Sequence, residues 1–123
     1  MKKKILVVDD EKDLVEMLKM RLEGSGYSVI TAFDGEAGLE LAKKEMPDII
    51  LLDLMMPKKD GYEVCGELKK DNKYKKIPIL ILSAKGQGSD RTAGIAVGAD
   101  GYVVKPFEGA VLLTKIKELL ARK

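Results

Sequence analysis

Five polar residues stand where apolar runs stop. Asp9 and Asp10 follow KKKILVV, Asp53 follows DIILL, Ser83 follows PILIL, and Lys105 follows GYVV. Brought together by a fold, three carboxylates, a hydroxyl and an ammonium would be suited to one kind of chemistry. Clustered carboxylates repel and raise one another's proton affinity. A hard divalent cation relieves that repulsion, and an oxygen-only set without His or Cys suits Mg²⁺ better than zinc. A hydroxyl and an ammonium beside such a cluster make an environment for a phosphoryl group. Asp53 is then a candidate nucleophile that accepts it.

Each residue also has an ordinary explanation. An Asp just after a strand is most often a helix N-cap, and Asp10 or Glu11 can cap the helix that carries Leu14. Ser83 alone reads as a turn residue and Lys105 as a surface charge. Asp53 resists this treatment. A carboxylate at the end of an apolar run is costly without partners, and the next helix does not begin until about Gly61. Between them lies MMPKKDG, which Pro57 and Gly61 mark as a loop.

The elements that must position these residues alternate between two periodicities. Strand-type runs are expected at Lys4–Val8, Tyr27–Thr31, Asp48–Leu52, Pro78–Leu82 and Asp100–Val104. Helical spacing follows each one. Leu14, Leu18 and Leu22 form one stripe; Ala37, Leu41 and Ala42 mark Glu36–Glu45; Val64 and Leu68 mark Gly61–Lys69. Ser89–Val97 is a weak helical segment, and Val111–Leu120 carries Leu112, Ile116, Leu119 and Leu120, with Leu113 expected to face outward. Five βα units with near-continuous apolar strands predict an α/β fold. Its five-stranded parallel sheet is doubly wound, in the order 2-1-3-4-5, with helices on both faces. In that order the first and third strands are neighbours, and ligands sit beyond their C-terminal ends. Asp9, Asp10 and Asp53 converge there.

The bulk composition narrows the function. With 123 residues, 46% hydrophobic and 34% charged, the sequence fits one domain, residues 1–123, with a core large enough to need no disulfide. The absence of histidine excludes Ser-His-Asp hydrolysis, Cys-His proteolysis and His-ligated zinc. No apolar run approaches the roughly 18 residues of a membrane span. The apolar N-terminal run is too short for a signal peptide, and the single Cys65 cannot form an internal disulfide. A cytoplasmic protein without a membrane partner is expected. The net charge of +2 gives no reason to expect nucleic acid, and the basic segment KKDNKYKK at 69–76 reads as a solvated loop. Cys65 reads as a packing residue.

Four stretches together resemble the response-regulator receiver domain of two-component signalling, of the chemotaxis-receiver kind. They are VVDD at 7–10, LLDLMMPKKDG at 51–61, SA at 83–84 and GADGYVVKPF at 98–107. The likeness covers Lys4 to Leu120 and implies a flavodoxin-like fold. It also implies that Asp53 is the phosphoacceptor. Asp10 ligates Mg²⁺ directly, Asp9 does so mainly through water, and Asp53 and the Met55 backbone carbonyl complete the protein's share. Lys105 pairs with Asp53 or its phosphoryl group, across a cis bond to Pro106. Ser83 hydrogen-bonds a phosphoryl oxygen, and Tyr102 is the aromatic switch that follows it. The phosphodonor is a histidine kinase or a histidine phosphotransfer protein. Met55 and Lys85 flank the path of the hydrolytic water without supplying a base, which implies slow self-dephosphorylation. Gly101 stands where many relatives have Asp, at a position implied to face the output surface.

The segment 85–98 holds Gly86, Gly88, Gly94 and Gly98. Glycine weakens a helix by about 1 kcal/mol each, so this stretch reads either as a bistable element beside the phosphate site or as close packing on the sheet. The expected function is a phosphoacceptor switch, a stand-alone receiver or one cut from a longer chain. It is not an enzyme beyond catalysing its own phosphorylation and dephosphorylation. Two alternatives compete. A covalent-aspartyl phosphatase of the haloacid-dehalogenase kind needs a general acid two residues after the nucleophile, where Met55 stands. A binding module that is never phosphorylated has no use for the full polar set.

Overall fold

The apolar runs are buried on both sides, and that fixes the architecture. The computed structural model describes residues 2–56, 58–84 and 98–122. Its strands are β1 (Lys4–Val8), β2 (Ser28–Ala32), β3 (Ile49–Asp53), β4 (Ile79–Ala84) and β5 (Gly101–Lys105). All pair in parallel, in the order β2-β1-β3-β4-β5, as the sequence predicts. The helices among the described residues are α1 (Lys12–Gly24), α2 (Gly35–Glu45), α3 (Gly61–Lys70) and α4 (Gly109–Ala121). The weak helical segment expected at Ser89–Val97 lies outside the described residues.

Alternation along each strand divides the core in two. Ile5, Val7, Ile49, Leu51, Leu80 and Leu82 face α1 and α4, where Val15, Leu18, Leu22, Leu112, Ile116 and Leu119 complete the layer. Leu6, Val8, Ile50, Leu52, Ile79 and Ile81 face α2 and α3, against Ala42, Val64, Cys65 and Leu68. Each fully buried Leu or Ile contributes roughly 1.5–3 kcal/mol of transfer free energy.

Helix faces differ from the expectation in small ways. The buried stripe of α1 is Val15, Leu18 and Leu22, with Leu14 only partly buried. Leu113 is partly buried and packs against the core layer on the α1/α4 side rather than facing outward. Val111, 51% exposed, is the residue that faces out. Lys69 is not a solvated charge. Its Nζ donates to Asp100 Oδ2 at 2.7 Å and to the carbonyls of Ile77 and Lys75 at 2.8 and 3.0 Å, tying α3 to the entrance of β5.

The end of β3 is held from behind by α3. Asp60 caps that helix through a reciprocal pair with Glu63. The Gly61 amide donates to Leu54 O at 2.9 Å. A Cβ at Gly61 would collide with the Asp53 carbonyl oxygen and lie 2.8 Å from Leu54 Cα. Both are backbone atoms and cannot swing aside. Gly66, one turn and a half further along the same helix, has nothing within 4 Å of such a Cβ. Two single substitutions therefore part company. Gly61→Ala is expected to lower the unfolding free energy by about 1–3 kcal/mol through overpacking. Gly66→Ala is expected to raise it by roughly 0.5–1 kcal/mol through helix propensity. Urea denaturation of both variants checks this, and equal effects would show that α3 does not press on the β3 terminus.

Candidate functional site

Strand register sets the site. Val8 pairs with Leu52, so Asp9 emerges level with Asp53. Asp53 pairs with Leu82, Ser83 with Val104, and Ala84 with Lys105. β1 ends at Val8 as expected, while the other four strands run one or two residues beyond their expected ends. Asp53, Ser83 and Lys105 belong to β3, β4 and β5 rather than following them, because the parallel ladder continues to their level. By the strand alternation, Asp53 and Lys105 share the parity of Leu51 and Val103 on the α1/α4 side. Ser83 shares that of Ile81 on the α2/α3 side.

The carboxylates meet as expected. Asp9, Asp10 and Asp53 each offer an oxygen, and these lie within 4.8 Å of one another. Asp9 is fully buried, Asp53 is 6% exposed, and Asp10 is exposed at the rim. Asp9 Oδ1 accepts from the Glu11 amide at 2.9 Å, a local turn that fixes how the chain leaves β1. Glu11 occupies the N-cap position of α1, yet its side chain makes no capping bond.

Its carboxylate goes elsewhere. Lys105 Nζ donates to Asp9 Oδ2 at 2.7 Å, to Glu11 Oε1 at 2.8 Å and, at the longest distance, to Asp53 Oδ1 at 3.4 Å. The pairing with Asp53 is present but is the weakest of the three. Glu11 is the site residue that sequence reasoning missed, having been considered only as a cap. Its signal was the acidic run Asp9-Asp10-Glu11. β3 and β4 stand between β1 and β5, however, so strand adjacency gave no hint of the contact. The Lys105–Pro106 bond is cis, as the resemblance implies.

Ser83 is buried on the other side of the sheet, and the Tyr102 hydroxyl donates to its Oγ at 2.8 Å. The two residues of the expected switch are therefore joined directly. Met55, two residues past Asp53, is 61% exposed. Lys85 lies outside the described residues. Gly101 opens β5 and is half-buried. A Cβ there would lie 2.9 Å from Leu80 Cδ1 and 3.4 Å from Leu119 Cδ1, because its parity points it under α4. Cys65 is a buried packing residue whose thiol burial pushes up to about 11.

Charge makes the cluster reactive. Burial first, and then the Asp9 charge, push the Asp53 carboxyl up to about 6 from an ordinary 3.8. Lys105 opposes the rise and Asp10 adds to it. Burial pulls the Lys105 ammonium down, but its bonds to Asp9 and Glu11 outweigh this and hold it above its usual value. It therefore stays protonated at neutral pH. The donor set fits a hard cation, since it is all oxygen and, among the described residues, three carboxylates face the single Lys105 ammonium.

These geometries agree with three comparisons. A family model described as the response regulator receiver domain matches residues 5–117. The alkaline phosphatase synthesis transcriptional regulatory protein PhoP of Bacillus subtilis (strain 168) is 48% identical over 122 residues, 99% of this chain and 50% of its own length. The chain spans about half the length of the curated relatives it matches. A putative response regulator from Chloroflexus aurantiacus J-10-fl superposes with a TM-score of 0.95 at 38% identity, covering 99% of this chain and 100% of that one. The receiver domain of the sensor histidine kinase PA1611 from Pseudomonas aeruginosa PAO1 holds a magnesium ion in its active site cleft. It superposes at 0.91 with 27% identity, covering 99% of this chain and 100% of that one. No helix among the described residues is long and apolar enough to cross a membrane.

The raised Asp53 value has a consequence for stability without divalent metal. The folded protein binds this proton more tightly than the unfolded chain does. The contribution of Asp53 therefore falls as pH rises from about 4 through about 6. The difference between the two values corresponds to on the order of 2–3 kcal/mol. In EDTA, Asp53→Asn is expected to be more stable than the unsubstituted protein at pH 7, and this advantage is expected to shrink toward pH 4. Denaturation at both pH values measures it, and a pH-independent difference would refute the assignment.

Proposed function

The chain belongs to the response-regulator receiver family, and from that premise we propose that residues 1–123 form one receiver domain that takes a phosphoryl group on Asp53. The observation that carries the reading is the convergence of Asp9, Asp10 and Asp53 within 4.8 Å, with Lys105 bridging Asp9 and Asp53. The donor is a histidine kinase or a histidine phosphotransfer protein. An Asp53 carboxylate oxygen forms a bond to phosphorus as the bond to the donor's imidazole nitrogen breaks. The electron pair stays on that nitrogen, which takes up a proton.

Mg²⁺ is the cofactor this oxygen set suits, held by Asp9, Asp10, Asp53 and the Met55 backbone carbonyl. When bound, it supplies positive charge that offsets the carboxylates and the incoming phosphoryl oxygens. The other roles belong to the chain. Asp9 holds Lys105 at the site. Lys105 donates to the acceptor carboxylate or its phosphoryl group. Ser83 offers a hydroxyl to a phosphoryl oxygen, and its bond with Tyr102 links that event to the opposite face of the sheet. A phosphoryl group adds about −1.5 to −2 of charge and strong acceptor oxygens. Such an addition shifts populations only where two arrangements respond differently to it, and the Ser83–Tyr102 pair is the element placed to respond. The protein is a signalling module and not an enzyme in the ordinary sense.

Incubation with acetyl phosphate and Mg²⁺ followed by intact-mass measurement tests the reading. A gain of one phosphoryl group is expected, lost in Asp53→Asn and in EDTA. No gain would remove the proposal, and rapid turnover of the donor would favour a covalent-aspartyl phosphatase instead. After removal of the donor the phosphoprotein is expected to persist for minutes or longer, since the apolar Met55 side chain supplies no base for attack by water. Decay within seconds would contradict that role for Met55.

A further inference from the structure

The Lys105 ammonium has three donors and three carboxylate partners, and they are unequal. The bonds to Asp9 and Glu11 are 2.7 and 2.8 Å, while the bond to the acceptor, Asp53, is 3.4 Å. Glu11 is well placed to hold the ammonium. Its backbone is fixed by the Asp9 Oδ1 bond to its amide, and its side chain caps nothing. That side chain is also 61% exposed, so the fold gains little from it. An N-cap Glu that declines the helix amides in favour of a lysine 94 residues away is spending its charge on the site.

We propose that Glu11 is a positioning residue that holds the Lys105 ammonium toward α1 and away from Asp53, and so competes with the phosphoryl group for Lys105. The proposal rests on the reading of Asp53 as phosphoacceptor. When Asp53 carries a phosphoryl group, new anionic oxygens stand on the acceptor side and draw Lys105 across. Asp9 is buried behind the ammonium and can keep its contact. Glu11, at the rim, is the partner that Lys105 must give up. Glu11 therefore sets how tightly the occupied state is held without touching the reacting atoms.

The phosphoryl analogue beryllium fluoride, titrated calorimetrically at saturating Mg²⁺, tests this. Glu11→Gln is expected to bind the analogue about three- to ten-fold more tightly than the unsubstituted protein, the gain expected from releasing one partly exposed charge-assisted bond. Glu11→Asp keeps the charge but stops one methylene short of Lys105, and it is expected to gain affinity in the same direction. Asp13→Asn, an acidic residue in the first turn of the same helix, is expected to change nothing. Equal affinity in Glu11→Gln and the unsubstituted protein would overturn the proposal. So would an equal gain in Asp13→Asn, or a Glu11→Asp variant that binds as the unsubstituted protein does, since either would reduce Glu11 to a bystander charge. A nitrogen-15 spectrum of the Lys105 ammonium in the free protein is a second readout. Its signal is expected to move in Glu11→Gln and not in Asp13→Asn, and an unmoved signal would also overturn the proposal. If the unsubstituted protein takes neither the analogue nor a phosphoryl group from acetyl phosphate, the phosphoacceptor reading itself fails.

Discussion

Three carboxylates are forced together at one edge of the sheet, and Lys105 is the ammonium that answers them among the described residues. Asp9, Asp10 and Asp53 lie within 4.8 Å of one another, and Lys105 reaches the two buried ones. Such an arrangement is costly in a dry setting, and the cost appears in the proton affinity of Asp53. The rest of the structure is organised around keeping that cost in place. A site that relaxed its own repulsion would have nothing to gain from a cation.

The sheet does the holding. β1 and β3 are buried on both faces, so neither strand can tilt to move its terminal Asp away. α3 presses on the Asp53 carbonyl through Gly61, and α2 packs Gly38 against Val8, the residue before Asp9. Alternation then splits the polar residues. The ionic group Asp9, Asp53 and Lys105 lies toward α1 and α4, and the Ser83–Tyr102 pair lies toward α2 and α3. Glu11 adds a fourth carboxylate at the rim, where the ammonium can be kept without burying further charge.

Much of this was legible in the sequence because it follows from short-range pattern. IILL and VV runs too continuous for a half-exposed strand specify a sheet covered on both faces. The sheet order in turn makes Asp9 and Asp53 neighbours. What escaped was set by side-chain reach and by register. Lys105 meets Asp9 although β3 and β4 stand between their strands, which no adjacency rule encodes. Glu11 looked like a cap because a cap is a local need, whereas its partner is 94 residues away. Lys69 looked solvated for the same reason, although Asp100 waits at the foot of β5. Residues 85–97, where the weak helical segment was expected, lie outside the described residues.

In the function proposed above, the carboxylate cluster is held in repulsion until a cation relieves it. Thermal unfolding as a function of Mg²⁺ concentration tests that claim directly, with the unsubstituted protein beside Asp10→Asn. Because ligand bound only by the folded state stabilises by RT ln(1 + [L]/Kd), the unsubstituted melting temperature should climb steadily with Mg²⁺. Asp10→Asn should start higher in EDTA and respond little. Parallel curves for the two proteins, or no response in either, would contradict it.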